Sequence, residues 1–367
     1  MLQRLYVHNF RCLENFELSL EDRSSTLLIG KNGTGKSTLA SVLALFQSLG
    51  RGVNRVGHLL GSQDFSPDRA DLPMRFAVVV QLQGQQYQYD LAVELPPKFR
   101  ELRVLEEQLS VAGEPLYTRQ EAQVTLTARS QGAQFFVDWH LIALPVIQAQ
   151  SETDPLHIFR TWLARMIILA PIPSLITGES QQETLEPQRD ASNLGDWFSG
   201  LLSRYPAAYG PIDQYLRSIL PDFRDIQNEV ISKESRSMKV RFSKSERSLS
   251  LDFKNLSDGE KCFFLCAVVL AANQYYGPLF CFWDEPDNYL SLSEVQHFVR
   301  SLRQSFRDGA QLLATSHHEE TIRTFSQENI LFLDRKSHLE PTLIQPLHQL
   351  EIHGDLVDNL ILGDVEL

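Results

Sequence analysis

Residues 30–38 constrain the fold of this chain more than any other stretch. They read Gly-Lys-Asn-Gly-Thr-Gly-Lys-Ser-Thr and match the pattern G-x-x-x-x-G-K-[ST] at every fixed position. The apolar residues 26–29 before the pattern predict a buried strand, and residues 38–46 after it have helical spacing. A strand, a glycine-rich turn and a helix in this order predict a loop that surrounds phosphates with backbone N–H groups at a helix N-terminus.

The residue types in this loop suit a nucleotide. Glycines let successive N–H groups turn towards a polyphosphate. Lys36 is expected to reach the β- and γ-phosphates, Ser37 to place its hydroxyl on Mg²⁺, and Thr38 to lie near the α-phosphate. The predicted nucleotide-binding residues are Lys31, Asn32, Gly33, Thr34, Gly35, Lys36, Ser37 and Thr38. A chance glycine-rich turn is the alternative, and the flanking strand and helix argue against it.

Composition limits the class of protein. The chain has 367 residues, 43% of them hydrophobic and 22% charged, which predicts a soluble globular protein. This length suits about two to three average domains, or one large α/β domain with insertions. The formal net charge of −12 argues against a surface that binds nucleic acid throughout, although a local basic patch stays an alternative.

Cysteine usage and hydropathy predict a cytoplasmic protein. The four cysteines lack C-x-x-C spacing and are expected to be reduced core residues: Cys12, Cys262, Cys266 and Cys281. Cys262 and Cys266 are one helical turn apart, so a metal site is the alternative, but no matching His or Cys set lies nearby. We expect no membrane association, because the N-terminus lacks a signal-peptide pattern and the longest apolar run, residues 262–272, is too short to span a bilayer.

Hydrophobic periodicity predicts the order of elements. Alternation indicates strands at residues 2–8 and 16–20, and residues 74–148 are predicted to form antiparallel β-structure. Residues 50–71 are rich in glycine and polar side chains and predict a mobile loop. Helices are expected at residues 155–166, 194–204 and 212–220. No heptad pattern persists between residues 40 and 250, which excludes a long coiled-coil arm there.

Residues 233–247 form a basic stretch. Six positive side chains stand against Glu234 and Glu246, a net charge of +4: Lys233, Arg236, Lys239, Arg241, Lys244 and Arg247. A strand pair with Lys239 and Arg241 on one face could bind a phosphate backbone or an acidic partner. The alternative is a solvated strand pair that balances acidic neighbours. We favour this alternative, because only Phe242 is available to stack on a base.

Residues 256–260 read Leu-Ser-Asp-Gly-Glu and precede an apolar helix. Ser257 followed three residues later by Glu260 predicts a capping box. The capping box does not require Gly259, whose missing side chain would let an external phosphate approach the helix start.

Two buried strands are predicted to end in residues suited to hydrolysis. The apolar run before Asp284 and Glu285 places both carboxylates at the C-terminal edge of a parallel sheet, where ligands bind. Asp284 is expected to hold Mg²⁺ through water and Glu285 to polarise the attacking water. The alternative is that both acids cap the helix near Leu292. The run 311–316 ends at His317, which is predicted to contact the γ-phosphate or, alternatively, to be a surface residue.

The order and spacing of these motifs resemble ABC-class ATPases. Asn9-Phe10-Arg11 near the N-terminus, and residues 287–290 after the acids, make the chain most similar to the SMC/RecF-like branch. Within that branch it resembles compact prokaryotic AAA family ATPases related to the overcoming-lysogenization-defect, Septu and retron-associated groups. Specific motifs cover residues 1–49 and 250–335, and residues 190–194 resemble a segment of the same group.

The resemblance implies an α/β P-loop NTPase with an ABC-type head. A mixed sheet flanked by helices is accompanied by an antiparallel β subdomain and a helical lobe. The implied division is an N-terminal part of the ATPase lobe, a helical insert, a C-terminal part of the ATPase lobe and an acidic tail, at residues 1–150, 151–255, 256–345 and 346–367. The tail lacks the acidic pattern of a fused metal nuclease.

The resemblance further implies a homodimer that sandwiches two ATP molecules with Mg²⁺. Ser257 and Gly259 of one subunit would contact the γ-phosphate bound by Lys36 of the other, and residues 288–291 would cross the seam. Glu285 would be the general base and His317 the switch histidine. The family's glutamine loop has no assigned position, and its candidates are Gln181, Gln182 and Gln188.

The expected function is an ATP-hydrolysing switch that controls a separate effector, such as a nuclease, in bacterial antiviral defence. The first alternative is a DNA-repair or recombination ATPase that binds DNA or RNA directly. The second is an assembly scaffold that holds ATP with negligible hydrolysis. A membrane-transporter ATPase is weaker, because the chain lacks the close signature spacing of transporter subunits.

Overall fold

The structure is a computed structural model that describes residues 1–127, 133–232 and 235–350. It divides into two compact units. Among the described residues, the first contains those of Met1–Arg23, of Leu28–Met166 and from Gln327 to Leu350, and the second contains those of Ser24–Leu27 and Ile167–Ser326. The four-part division implied by the resemblance stays a prediction.

Strands dominate the N-terminal third of the chain, and helices and strands alternate beyond it. The β-strands are β1 (Leu2–His8), β2 (Phe16–Ser19), β3 (Ser25–Ile29), β4 (Met74–Leu82), β5 (Gln85–Glu94), β6 (Arg103–Val111), β7 (Glu114–Gln120), β8 (Gln123–Leu126), β9 (Gln134–Phe136), β10 (Ile167–Leu169), β11 (Glu179–Ser180), β12 (Phe223–Val230), β13 (Arg236–Lys244), β14 (Arg247–Asp252), β15 (Phe280–Trp283), β16 (Gln311–Thr315), β17 (Ile330–Asp334) and β18 (Leu343–Pro346). The α-helices are α1 (Lys36–Gly50), α2 (Val56–Leu59), α3 (Pro155–Ala164), α4 (Leu194–Arg204), α5 (Tyr209–Ile219), α6 (Asp258–Tyr276), α7 (Leu292–Ser305) and α8 (Glu319–Thr324).

The first unit contains an antiparallel sheet with the strand order β2-β1-β4-β5-β6-β7-β8-β9. The ring centre of Tyr89 in β5 lies 6.2 Å from that of Phe46 in α1 and 5.8 Å from that of Phe159 in α3. The two helices also approach each other closely, since a Cβ on Gly50 would lie 2.3 Å from the backbone nitrogen of Ala164. This packing seats α1, and the loop that precedes it, against the sheet.

The sequence predicted most of this unit. The antiparallel structure predicted for residues 74–148 is confirmed from β4 to β9, within Met74–Leu126 and Gln134–Phe136, and β4 and β5 form a hairpin. The prediction of loop throughout residues 50–71 is wrong at α2, where Val56 is buried and its carbonyl accepts a hydrogen bond from the N–H of Leu60 at 2.9 Å.

A buried carboxylate joins three strands of this sheet. Glu107 in β6 is 1% exposed and accepts hydrogen bonds from the hydroxyls of Tyr89 and Tyr117 at 3.0 and 2.8 Å. Arg119 Nη1 lies 3.5 Å from the same carboxylate. Burial and the nearby carboxylate raise the pKa of both tyrosines, so both remain neutral donors at neutral pH. The network pins β5, β6 and β7 in one register.

The second unit contains a parallel sheet. β10, β15 and β16 are neighbours in this order, with Ile167 opposite Cys281 and Phe280 opposite Gln311. All three strands are buried along their length, as the sequence predicted for the second and third of them. Parallel strands end at a common edge, so the residues that follow β15 and β16 lie at the same edge of this sheet.

α6 forms much of the core of the second unit. Cys262 and Cys266 are buried in it, and burial raises the pKa of Cys262 to about 12 and raises that of Cys266 as well. Within the described residues, no cluster of three or more His, Cys, Asp or Glu side chains is arranged to hold a metal ion. The burial of both side chains confirms the core role predicted for them. Within the described parts of the chain, no helix is both long and apolar enough to cross a membrane.

Candidate nucleotide-binding and hydrolysis site

Each glycine in residues 30–38 is required by a different feature of the structure. Gly33 has φ +83° with open space around a would-be Cβ, so only its backbone conformation favours glycine. Gly35 has φ +97°, and its Cβ would also lie 2.9 Å from Cys12 Sγ and 3.1 Å from Thr342 Oγ1. A Cβ on Gly30 would lie 2.3 Å from the carbonyl oxygen of Leu333 in β17. The loop is therefore held tightly on one side and left open at Gly33.

Lys36 is folded back over this loop. Its side chain is buried, and Nζ donates to the carbonyl oxygens of Gly30 and Lys31 at 2.6 and 3.1 Å. The hydroxyl of Thr34 donates to the same Lys31 carbonyl at 2.8 Å. The lysine is the first residue of α1, whose opening N–H groups carry the positive end of the helix dipole. An ammonium and a helix N-terminus in one loop form a binding site for an anion with several charges.

The remaining predicted loop residues lie around this cation. Lys31, Asn32, Gly33 and Ser37 are exposed, whereas Thr34 is buried and Thr38 is half-buried. The thiol of Cys12 lies 3.7 Å from Thr38 Oγ1, a contact that the loop pattern did not reveal.

Two arginines of the first unit lie beside this loop. Arg11 Nε donates to the buried Asp64 at 2.8 Å, and Arg11 Nη1 contacts Ser41 Oγ in α1 at 3.4 Å. The Arg11 side chain is therefore held by Asp64. Arg335, which sequence reasoning missed, places Nη1 3.5 Å from the carbonyl oxygen of Gly33. Arg335 is 302 residues from Gly33 in the chain, so no local sequence pattern predicts this contact.

The predicted carboxylates lie directly after β15 in the second unit. Thr315 Oγ1 donates to Asp284 Oδ1 at 2.6 Å and accepts from the N–H of Glu285 at 2.9 Å. Thr315 is fully buried at the end of β16, so this one hydroxyl fixes both the Asp284 carboxylate and the backbone of Glu285. Glu285 has φ +48°, a left-handed conformation that is uncommon for a non-glycine residue.

His317 and Glu285 face each other. His317 Nε2 lies 3.5 Å from Glu285 Oε1, and Asn288 Nδ2 donates to Glu285 Oε2 at 3.0 Å. The neighbouring His318 instead caps α8, where its Nδ1 accepts from the N–H of Glu320 at 3.3 Å. Of the two histidines, the one chosen from the sequence is the one beside the carboxylate.

The alternative that the acids cap the following helix is wrong. α7 begins after Ser291, whose N–H donates to Glu294 Oε2 at 3.0 Å in a capping box of its own. Asp284 and Glu285 take no part in that cap, and their contacts run to Thr315, His317 and Asn288 instead.

The predicted capping box at the start of α6 is confirmed. Ser257 is exposed, and its N–H and hydroxyl both donate to Glu260 Oε2 at 2.7 Å. The packing of the fold also favours glycine at position 259, since a Cβ there would lie 2.9 Å from the carbonyl oxygen of Tyr289. The serine turn and the loop after the acids therefore pack on each other.

The glutamine candidates lie between β10 and α4. The N–H groups of Gln181 and Gln182 both donate to Asp196 Oδ1, at 2.8 and 3.1 Å. Gln188 Oε1 accepts from the hydroxyl of Ser192 at 2.6 Å. None of these contacts distinguishes a glutamine loop from an ordinary turn.

Two cations of the basic stretch are paired with acids of their own sheet. Lys239 Nζ lies 2.8 Å from Glu229, and Arg241 Nε donates to Asp225 at 2.7 Å, both acids being in the adjacent β12. The hydrogen bond from Arg241 lowers the pKa of Asp225, and the one to Glu229 raises the pKa of Lys239. The structure therefore agrees with the favoured interpretation, a strand pair that balances acidic neighbours. Lys233 and Glu234 lie outside the described residues.

The chain is similar to known ATPase and SMC head domains. Residues 1–72 match the family model described as AAA ATPase domain. A crystal structure of the SmcHead bound to the C-winged helix domain of ScpA superposes with a TM-score of 0.57 at 13% identity, covering 95% of this chain and 98% of that one. The chain has the fold of an SMC head domain.

A second solved SMC head has the same fold. The Smc head domain with an extended coiled coil, bound to the C-terminal domain of ScpA derived from Pyrococcus furiosus, gives a TM-score of 0.54 at 11% identity. It covers 99% of this chain and 98% of that chain. No curated protein matches the chain in sequence. The resemblance to SMC-like ABC-class ATPases is confirmed at the level of the fold, as is the predicted α/β P-loop class.

Proposed function

We propose that this protein is an ATP-binding and ATP-hydrolysing switch that closes as a homodimer. The observation that carries the proposal is the buried Lys36, whose ammonium lies within the glycine loop at the start of α1. A fixed cation with a helix N-terminus suits a triphosphate far better than a neutral ligand. The match of residues 1–72 to an ATPase domain family supports adenine nucleotides as the ligand class.

The residues present fit Mg²⁺. Ser37 places an exposed hydroxyl in the first turn of α1, and Asp284 is a half-buried carboxylate oriented by Thr315. Hydroxyl and carboxylate oxygens, with water, are the ligands that Mg²⁺ prefers. The ion would neutralise charge on the phosphate oxygens, and Ser37 and Asp284 would hold it.

Glu285 is the general base of the proposed reaction. Asn288 holds one of its carboxylate oxygens, which leaves the oxygen near His317 to accept a proton from water. His317, with an imidazole that is 44% exposed, would donate a hydrogen bond to the γ-phosphate and lose that partner after hydrolysis. This pairing supports hydrolysis over the scaffold alternative.

Dimerisation would let two copies share each γ-phosphate. Ser257 is exposed, and the adjoining loop and helix start expose Tyr289 at 43% and Leu292 at 69%. Exposed apolar side chains around a polar turn are typical of a protein-binding surface. Ser257 and Gly259 of one copy would meet the phosphate held by Lys36 of the other. Because ADP lacks that γ-phosphate, only ATP would favour the closed dimer.

The closed dimer would control a separate effector, a nuclease, in antiviral defence in the bacterial cytoplasm. SMC heads of this fold have been solved bound to ScpA domains, which supports a protein partner for this head also. Direct DNA binding has less support, because Lys239 and Arg241 are paired with acids of their own sheet. A nuclease gene beside this one, and a nuclease that copurifies with the protein from its native host, would support the effector proposal.

ATP turnover and light-scattering mass, measured together, test the switch. We expect Lys36→Ala to lose nucleotide binding, whereas the exposed Lys336→Ala, its matched control, behaves as wild type. Glu285→Gln should keep ATP binding, lower kcat at least about 100-fold and accumulate dimer. Ser257→Arg should bind ATP as a monomer. Normal turnover by Glu285→Gln, or ATP-dependent dimers of Ser257→Arg, would contradict the proposal.

A further inference from the structure

A buried carboxylate close to Glu285 has no part in the mechanism above. Asp287 is 3% exposed and lies two residues after Glu285. Its Oδ2 accepts hydrogen bonds from Ser316 Oγ at 2.5 Å and from the hydroxyl of Thr321. Both hydroxyl residues are buried, at 0% and 1% exposure. A charged acceptor with two buried hydroxyl donors is among the stronger polar arrangements in a protein interior.

These two donors lie on either side of His317. Ser316 directly precedes it, and Thr321 is in α8, which begins two residues after it. Ser316 Oγ also accepts from the N–H of His318 at 2.8 Å, so the backbone on both sides of the histidine is tied to one network. The His317 side chain itself is partly exposed and lies at the edge of the sheet. Its position therefore depends on how firmly this flanking backbone is held.

The same two loops are joined a second time by Thr315, through Asp284 and the N–H of Glu285. Thr315 holds together the beginnings of the loops that follow β15 and β16. Asp287 joins the loop after β15 to Ser316, just before His317, and to Thr321 in α8. Between these two anchors, Glu285 and His317 approach to 3.5 Å. Two anchors that bracket a contact set its distance more closely than one can.

We propose that Asp287 is a positioning residue that binds Ser316 and Thr321 and thereby holds His317 within reach of Glu285. The proposal rests on the proposed function for its effect on turnover. Its structural part, the link from Asp287 to the contact between His317 and Glu285, stands on the second unit alone. Asp287 touches neither nucleotide nor water in this role.

The first test does not use activity. In protein labelled with ¹³C-histidine, Glu285→Gln should shift the ring signal of His317, which is identified by its loss in His317→Ala. The same shift should be absent when Asp287→Ala is also present, because the two side chains no longer meet. Asp287→Asn keeps an oxygen that accepts both hydroxyls and should retain most of the shift. Thr324→Val, which removes the α8 hydroxyl that donates to the carbonyl of Thr321, is the matched control and should retain all of it.

The second test is kinetic. We expect Asp287→Ala to lower kcat about 10- to 100-fold while KM for ATP changes less than about twofold, since the phosphate loop around Lys36 is proposed to supply most of the binding of ATP and His317 only one contact to the γ-phosphate. Adding His317→Ala to Asp287→Ala should lower kcat little further, because both changes remove one arrangement. Thr321→Val should give a smaller loss of the same kind if Asp287→Ala fails to fold.

The outcomes separate the two proposals. If wild-type protein hydrolyses no ATP, the proposed function fails, and the His317 signal still decides whether Asp287 positions the histidine. If Glu285→Gln shifts that signal equally with and without Asp287, the positioning role is wrong. If the double variant Asp287→Ala/His317→Ala lost kcat by the product of the two single-variant losses, the positioning role would also be wrong.

Discussion

Alanine substitutions at Gly33 and Gly35 should differ in cost, although both residues have positive φ. At Gly33 the new Cβ meets nothing within 4 Å, so only the left-handed backbone is penalised, at about 1–2 kcal/mol. At Gly35 the same penalty applies, and the Cβ would also lie 2.9 Å from Cys12 Sγ and 3.1 Å from Thr342 Oγ1. Unstrained van der Waals contacts are about 3.5–4.0 Å, so the side chains of Cys12 and Thr342 must move. Overpacking of this degree adds about 1–3 kcal/mol.

Thermal unfolding of the two variants measures this difference. For a domain of about 150–250 residues, 1 kcal/mol shifts Tm by about 2–4 °C. We therefore expect Gly35→Ala to melt roughly 2–12 °C below Gly33→Ala, which itself melts below wild type. The comparison between two alanine variants of one loop removes most effects on the unfolded chain.

Cys12→Ala provides the internal check. Alone it removes a buried thiol and should lower Tm, but in the Gly35→Ala protein it also makes room for the new methyl group. The cycle of the two changes should therefore show a favourable coupling of about 1 kcal/mol or more. Equal melting temperatures for Gly33→Ala and Gly35→Ala, or additive effects of Cys12→Ala and Gly35→Ala, would refute the close packing of Cys12 on the phosphate loop.

Three further predictions concern charge and the hydrolysis loop. Burial raises the pKa of Asp90, so its carboxylate destabilises the fold as pH rises from the ordinary aspartate pKa through the raised one. Asp90→Asn should therefore melt higher than wild type by a margin that is larger at neutral pH than at about pH 4, and an equal margin at both would contradict this. Thr315→Val should lower kcat about 10- to 100-fold by releasing Asp284 and Glu285, whereas Thr315→Ser, which keeps the hydroxyl, should stay within a few-fold in the same ATPase assay. Glutamate at both Lys239 and Arg241 should leave gel-shift behaviour with DNA unchanged, and a salt-sensitive shift lost in that variant would favour the nucleic-acid alternative.

Much of the candidate site could be predicted because its signals are local. The turn from β3 into α1 needs glycine and lysine within a few residues, and Ser257 finds its capping partner Glu260 three residues away. Asp284 and Glu285 stand out because they end an apolar strand. In each case the interacting groups are neighbours in the chain, so residue types at fixed spacing carry the information.

Other site residues could not be predicted, because their partners lie far away in the chain. Thr315 reads as the last residue of a buried strand, and only the register of β16 beside β15 brings it to Asp284, 31 residues earlier. Asp287 meets Thr321 at a separation of 34 residues, and no spacing rule connects them. The aromatic and apolar periodicity predicts that these strands are buried, but not which side chain faces which.

The amino-acid sequence by itself determined the phosphate loop, the serine cap, the paired acids and the antiparallel segment of this protein, since each depends on backbone preferences and hydrophobic periodicity over a few residues. Only the tertiary structure decided that Lys239 and Arg241 are neutralised by β12, that Gly259 packs on Tyr289, and that Asp287 binds both sides of His317. Strand pairing and loop packing create these contacts between distant residues, and the free energy of a buried charge or hydroxyl depends on the partner it meets there.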